Sequence, residues 1–345
     1  MAPTTHALAM FDERAWALGP QSLVLLLFAL VLDAYVGDAP LVFRFLPHPL
    51  SLMRRIARGL DRRLNRKERD QHTRRMRGVL VVAVLTLGAA AIGGVLEWLG
   101  NVVPFAWIVE FVVIAALLAQ RESYLGARLV ARALDAGDME TARAALDGLE
   151  RGPRAGDAFG LARAAIEAVA LRLADRVAAP VFWFVLLGLP GMLAYRMVEV
   201  LDATLRARRA GAFGGGAARL DEALQLVPAR LAGILVALAA LFVPTGRPGA
   251  ALKVMARDAR RHRSLNAGWP QAAMAGALGL ALALGGPAGR PRSESRDTQP
   301  PRGPWLGDGR ARAEPEDVRR ALFLFAVACL IDAALVGLLA LSRGA

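Results

Sequence analysis

The stretch His262–Gly279, HRSLNAGWPQAAMAGALG, joins two solvents. Upstream lies a basic run, Arg257-Asp258-Ala259-Arg260-Arg261-His262-Arg263, and downstream Ala272 to Leu284 is small and apolar. Between them stand Ser264, Asn266, Gly268, Trp269 and Pro270. A water-to-membrane boundary needs only an aromatic anchor and a few positive charges. A hydroxyl, an amide and an imidazole within the same few residues exceed that need. The stretch therefore reads both as a boundary and as a candidate site.

Composition supports the membrane reading. The chain has 345 residues, 55% of them hydrophobic, with a formal net charge of +13 and a mean hydropathy of +0.39. Soluble domains run about 45–50% apolar with glycine counted, and this chain exceeds that without it. Most arginines flank apolar segments, which suits the positive-inside rule and anionic lipid rather than nucleic acid. No zinc-finger or RNP pattern is present, so no nucleic-acid partner is expected. The one cysteine, Cys329, lies in an apolar run and has no internal partner for a disulfide. Met1 to Gly19 carries Asp12, Glu13 and Arg14 without a small-residue cleavage site, so no removable signal peptide is expected.

Outward from the opening stretch, the apolar runs predict the fold. Gln21 to Val36 is near the lower limit for a span, with Asp33 near its end. Pro47-His48-Pro49 holds His48 on a stiff connector near Asp38. Arg54 to Arg77 reads as one long basic amphipathic helix lying on an anionic leaflet. Val79 to Leu99 is a clean span, rich in Gly and Ala as close helix packing favours, and Pro104 to Ala119 returns with Glu110 inside it. Gln120 to Ala174 is charged, alanine-rich and helical. Val177 to Val198 is apolar but broken at Leu189-Pro190-Gly191, which favours a re-entrant hairpin over a crossing. Leu226 to Val243 is a further span, Ala272 to Leu284 a short re-entrant segment, Gly285 to Pro315 a flexible loop, and Ala321 to Leu341 the last span, with Asp332 inside.

The expected fold is all-α: a polytopic integral membrane protein with re-entrant or broken helices and a soluble helical insertion. Its divisions are membrane segments with the basic helix over 1–119, the insertion over 120–176, a membrane core over 177–286, a loop over 287–319 and a C-terminal transmembrane helix over 320–345. A multi-pass protein of the cell's inner membrane is expected, with lipid as a partner.

Several chemistries are absent. The only lysines, Lys67 and Lys253, follow Arg66 and Leu252, so no Walker-type loop exists. CxxC, HExxH and GxSxG do not occur, and the four histidines, His6, His48, His72 and His262, are widely spaced.

Several stretches in order carry a resemblance. LDAYVGD with PHPLSLM and RRLNR, ALDAGDMETAR, RAAIEAVA…D…VAAPVFW, GLPGMLAYRMVEVLD, FGGGAARLDE…VPARL and HRSLNAGWPQAAMAGALG together resemble the adenosylcobinamide-phosphate synthase family (CbiB/CobD) of cobalamin biosynthesis, over about residues 24 to 286. The sequence departs from the family pattern at Leu171-Arg172, where the family has Glu-Asn, and at Glu199, where it has Asn. The resemblance implies a membrane ligase joining a carboxylate of adenosylcobyric acid to aminopropanol phosphate, or an ethanolamine-type phosphate, as an amide. It implies ATP as co-substrate, Mg²⁺, and neighbouring late-pathway membrane enzymes as partners.

Physical chemistry sets requirements beside that resemblance. An amide forms from a carboxylate only through an activated acyl group, which calls for Mg²⁺ on one or two carboxylates and arginines for phosphate. The metal candidates are Asp33, Asp38, Asp175, Asp202, Asp221 and Glu222. Substrate and phosphate candidates are His48, Arg219, Arg230 and Trp269. Catalytic candidates are His262, Ser264 and Asn266, with His262 as general base for the amine. Two other classes fit the same residues: a catalytically altered paralogue acting as a membrane binding or signalling protein, and a transporter, suggested by broken helices and intramembrane carboxylates.

Overall fold

Backbone polar groups in lipid must be satisfied within the segment, so apolar runs of spanning length fold as helices. The computed structural model describes residues 20–37, 47–66, 70–149, 157–206, 211–283 and 305–344, and they are almost wholly helical. In order come α1 (Pro20–Tyr35), α2 (Pro49–Leu64), α3 (Gln71–Val102), α4 (Trp107–Leu117), α5 (Gln120–Asp135), α6 (Met139–Leu149) and α7 (Ala158–Leu173). A π-helical turn (Ala174–Ala178) leads into α8 (Ala179–Arg206), followed by α9 (Gly211–Leu224), α10 (Leu226–Ala239), α11 (Pro248–Asp258), a 3₁₀ turn (Ala259–Arg261) and α12 (Gly268–Leu278). A two-stranded antiparallel pair, β1 (Leu282–Ala283) and β2 (Trp305–Leu306), precedes α13 (Pro315–Gly344).

Among the described residues three helical stretches are long and apolar enough to cross a membrane: Gln71–Val102, Ala158–Leu205 and Pro315–Arg343. Phe213–Leu224 and Leu226–Ala239, bent by 46° at their junction, make a fourth as one broken span. The 32 residues of α3 extend roughly 48 Å at 1.5 Å each, longer than a ~30 Å hydrocarbon core. Its inner line is Gly78, Val81, Val82, Ala89 and Gly93, while Leu80, Val84, Leu87, Ile92, Val95 and Trp98 are exposed. An unbroken apolar outer face of this kind is a lipid surface. The all-α membrane architecture expected from the sequence is the one observed.

The helical stretch containing α8 is not one straight rod. Gly188 has φ 70° and ψ −160°, a backbone that side chains with a Cβ rarely adopt. Residues 23 apart on a straight helix would be separated by about 35 Å. Yet Arg176 Nη2 lies 3.0 Å from Glu199 Oε1, and the Tyr195 hydroxyl donates to the Asp175 carbonyl at 3.0 Å. The chain therefore reverses at Gly188, giving the hairpin expected from Leu189-Pro190-Gly191, with the turn one residue earlier. Its tip rests on α3. A Cβ built on Gly93 would stand 2.7 Å from the Pro190 backbone, so glycine allows the two chains to touch.

Three expectations change. The basic run is two helices: α2 ends with Asn65, whose amide donates to Asp61 at 2.8 Å and whose Oδ1 accepts Arg74 from α3 at 2.8 Å. Asp70 then caps α3. The remaining apolar face of α2, Leu50, Met53 and Ala57, is buried, but Ile56 is exposed. Secondly, the passage around 176/177 is continuously helical. The helices α5 to α7 share one apolar core with α10 to α13 rather than forming a separate body. Thirdly, the end of the Gly285 to Pro315 loop is structured: Leu282 pairs with Leu306 and Ala283 with Trp305. The rest of that loop, 284–304, lies outside the described residues.

The short apolar segment after Pro270 is α12, buried along its whole length. It lies among α7, α10, α11 and α13 and ends at Gly279, φ 68°.

The hairpin tip yields a paired test. Gly93→Ala drives a methyl into the Pro190 backbone and should destabilise the detergent-purified protein by about 1–3 kcal/mol, as overpacking does. At Gly94 the nearest neighbour is Pro190 Cγ at 3.9 Å, so Gly94→Ala should leave the melting temperature unchanged or raise it. Equal melting curves for the two variants would contradict the contact.

Candidate functional site

The site is built where the α8 hairpin closes. The π turn carries Asp175 and Arg176, and such turns often mark functional positions because they re-aim side chains. One strand of the hairpin thus presents Asp175 and Arg176, and the other Tyr195, Arg196, Glu199 and Asp202. Glu199 receives Arg176 on Oε1 and Arg196 on Oε2. Arg196 is fully buried, and its Nε and Nη2 have no hydrogen-bond partner among the described residues. Arg172, one turn earlier, donates to the Leu149 carbonyl at 2.7 Å and the Gly148 carbonyl at 2.9 Å, holding α6 to α7.

The junction of α9 and α10 forms the facing wall. Trp183 Nε1 donates to the Leu224 carbonyl at 3.2 Å and fixes that junction to the first arm of α8. Asp221 accepts Gln225 Nε2 at 3.1 Å and stands within electrostatic reach of Asp175, Asp202 and Glu199. Glu222 accepts Asn266 Nδ2 through its carbonyl at 2.7 Å, so the His262–Trp269 loop adjoins the same wall.

That loop is internally braced. Asp258 is fully buried. It accepts Arg257 twice, at 2.8 and 2.7 Å, and the Gly307 N–H at 2.9 Å. The bonded Arg257 guanidinium holds the Asp258 carboxyl below its usual range, with its burial opposing. His262 Nδ1 accepts the Ser264 N–H at 2.9 Å, which fits a neutral ring with its proton on Nε2. Burial pushes the imidazole below its ordinary value, Arg263 adds to that, and a backbone bond at Ser264 opposes it. Its Nδ1 also lies 3.3 Å from the Ser264 carbonyl, so the ring braces the loop from its Nδ1 side. Ser264 Oγ accepts the N–H groups of Asn266 at 3.3 Å and Ala267 at 3.2 Å, bracing the entry to α12. Asn266 Oδ1 is buried without a partner among the described residues.

The structure brings together Asp175, Asp202, Asp221 and, through its backbone, Glu222. Among the described residues no three His, Cys, Asp or Glu groups converge closely enough to cage an ion. Asp33 lies apart: it is fully buried and accepts the Gln120 N–H at 2.7 Å, joining α1 to α5, which explains an acid in that apolar run. His48 serves as the N-cap of α2, its Nδ1 accepting the Leu50 N–H at 3.2 Å. Arg230 stacks over Trp269 at 4.5 Å, so those two engage one another. Arg219 is exposed on α9, and Asp38 lies outside the described residues. Sequence reasoning gave no role to Tyr195, Arg176 or Arg196. The available signal was an arginine and a glutamate three residues apart inside an apolar run.

A pH test isolates the loop. Folding favours the neutral His262 ring, so this contribution is complete above the unfolded value near 6.5 and lost as pH falls below it. His262→Asn keeps an acceptor at the Nδ1 position without the charge. It should flatten the fall in thermal stability below about pH 6.5, leaving stability at pH 8 near wild type. An unchanged acid profile would show that another group governs it.

The sequence profile for the CobD/Cbib protein family matches residues 26–325. A cobalamin biosynthesis protein CobD of Brucella suis biovar 1 is 38% identical over 92% of this chain and 98% of its own length. A CobD of a Sinorhizobium species is 38% identical over 91% and 97%. One of Rhodobacter capsulatus is 36% identical over 92% and 96%. No solved structure matches the chain.

Proposed function

The chain belongs to the CobD/CbiB family, and from that premise we propose that it is a membrane-embedded enzyme of cobalamin biosynthesis, the adenosylcobinamide-phosphate synthase. On this reading it joins a carboxylate of adenosylcobyric acid to the amine of aminopropanol phosphate, or an ethanolamine-type phosphate, with ATP as co-substrate, in the cell's inner membrane. The observation that carries the reading is a set of buried polar atoms without partners among the described residues: Arg196 Nε and Nη2 as donors, and Asn266 Oδ1 as an acceptor. Buried polar atoms are normally paired, and exceptions call for a ligand or another explanation. Two fixed guanidinium donors suit carboxylate or phosphate oxygens. A fixed amide oxygen suits an amine N–H. An amide-forming enzyme that handles a phosphorylated amine needs both.

Each side chain then has a task. Arg196, held by Glu199, orients an anionic group of a substrate. Asn266, held through Nδ2 on the Glu222 carbonyl, accepts from the amine through its unpartnered Oδ1. Asp221, Asp202 and Asp175 supply the carboxylates. Mg²⁺ keeps waters and binds through one or two carboxylates plus substrate phosphates, a demand that two of these acids would meet. Bound there, Mg²⁺ would neutralise phosphate charge. Ser264 and His262 keep the loop in register. A binding or signalling protein of the same fold would need the same pockets without turnover.

Asn266→Ala should cut amide formation by roughly 10²–10³, the usual cost of one positioned polar group, with little change in membrane yield. The assay is purified protein with adenosylcobyric acid, aminopropanol phosphate, ATP and Mg²⁺, following product mass. No product from wild-type protein that still binds the corrinoid would replace the ligase reading with the binding one.

A further inference from the structure

A cavity of about 640 Å³ opens at the far end of α12 from Asn266. It is lined by Thr245, Gly246, Arg247, Gly279, Arg310 and Arg320, with Pro244 and Leu278. Its size falls within the ordinary range for small-molecule sites. Asn266 stands before the first turn of α12 and Gly279 after its last, so the eleven residues of the helix separate this cavity from the site above by about 16 Å.

The charge balance of the cavity is uneven. Asp317 is fully buried and accepts Arg310 at 2.5 Å and Arg320 at 3.3 Å. The exposed Glu314 lies 3.7 Å from Arg310. Arg320 also donates to Thr245 Oγ1 at 3.0 Å. Arg247 has no such arrangement. Its side chain lies over the backbone of Gly279 and makes no hydrogen bond or ion pair among the described residues. It occupies the N-cap of α11 without capping it, so its charge adds to the positive end of that helix. The negative end of α12 does not offset this, because the Ala277 carbonyl accepts the Arg247 N–H and the Gly279 carbonyl accepts the Arg310 N–H. Three guanidiniums converge on one wall, two pre-oriented by a buried carboxylate and one uncommitted.

We propose that this cavity is a phosphate-binding site, distinct from the site of amide formation and independent of that assignment. Arg310 and Arg320 are held as a fixed fork by Asp317, and Arg247 closes on the anion. Planar guanidiniums match phosphate oxygens in pairs. The position allows two sources for the phosphate. The cavity lies where α10 ends and α13 begins, two apolar helices of the membrane region, with Leu241 and Phe242 exposed beside it. A lipid headgroup would reach it from the bilayer, and a free phosphate compound from water.

The test uses the full chain in detergent and in lipid nanodiscs. Inorganic pyrophosphate is titrated by calorimetry against wild type, Arg247→Ala, Arg247→Gln and Arg196→Gln. In parallel, phosphatidic acid retained from mixed phosphatidylcholine nanodiscs is measured by mass. Loss of one charge-assisted pair should weaken binding roughly ten-fold. A ten-fold loss for pyrophosphate supports the site with a soluble phosphate. Loss confined to phosphatidic acid retention supports it with a lipid headgroup. Binding of both probes that is unchanged in either Arg247 variant, or that fails only in Arg196→Gln, overturns it, as does no binding by the wild type.

Discussion

A guanidinium with no exposed surface, Arg196, sets the terms for the centre of this molecule. Taking such a charge out of water costs several kcal/mol even after relaxation, and removing its partner alone typically costs about 3–5 kcal/mol. The partner, Glu199, is one turn away on the same arm and also receives Arg176 from the other arm. The pairing therefore requires the chain to turn back. Gly188 provides the backbone angle, Gly93 lets the turn lie against α3, and the π turn aims Arg176 inward. Each of these would be a weakness alone. Together they hold a polar centre inside an otherwise apolar bundle.

Much of the architecture was legible from apolar run length. The helices α3, α10 and α13 follow directly from hydrophobic stretches, and the reversal in α8 from a Pro-Gly pair at membrane depth. What one-dimensional pattern cannot carry is which partner a polar group finds. Asp33 and His48 look like ligands in the sequence because an isolated acid or imidazole beside apolar residues is costly. In the fold each satisfies a helix N-terminus, which local spacing does not reveal for Asp33, since its acceptor role reaches Gln120. The break between α2 and α3 was hidden because the basic pattern continues across it, while the Asn65–Arg74 bond that fixes the corner is tertiary. The opening loop was legible as a polar cluster. Its internal bracing, in which His262 and Ser264 serve the backbone, was not.

Two charged residues far apart in sequence meet in the same charge network. Arg172 and Glu199 lie on opposite sides of the reversal, and each feels the charge of the other. Either charge alone would add to an already crowded set of arginines or carboxylates. As a pair they preserve its balance, although they are far apart in sequence.

The small β1–β2 pair carries a consequence for the length of the chain. Leu282 faces Leu306, and Ala283 faces Trp305, so any excursion of the chain between 283 and 305 starts and ends at neighbouring points. Doubling the length of such an excursion costs only about 0.6 kcal/mol of closure entropy. The clasp is secured by Asp258 on Gly307, so its two ends are held together by the body of the protein. It marks a natural port where a reporter domain or affinity handle could be grafted.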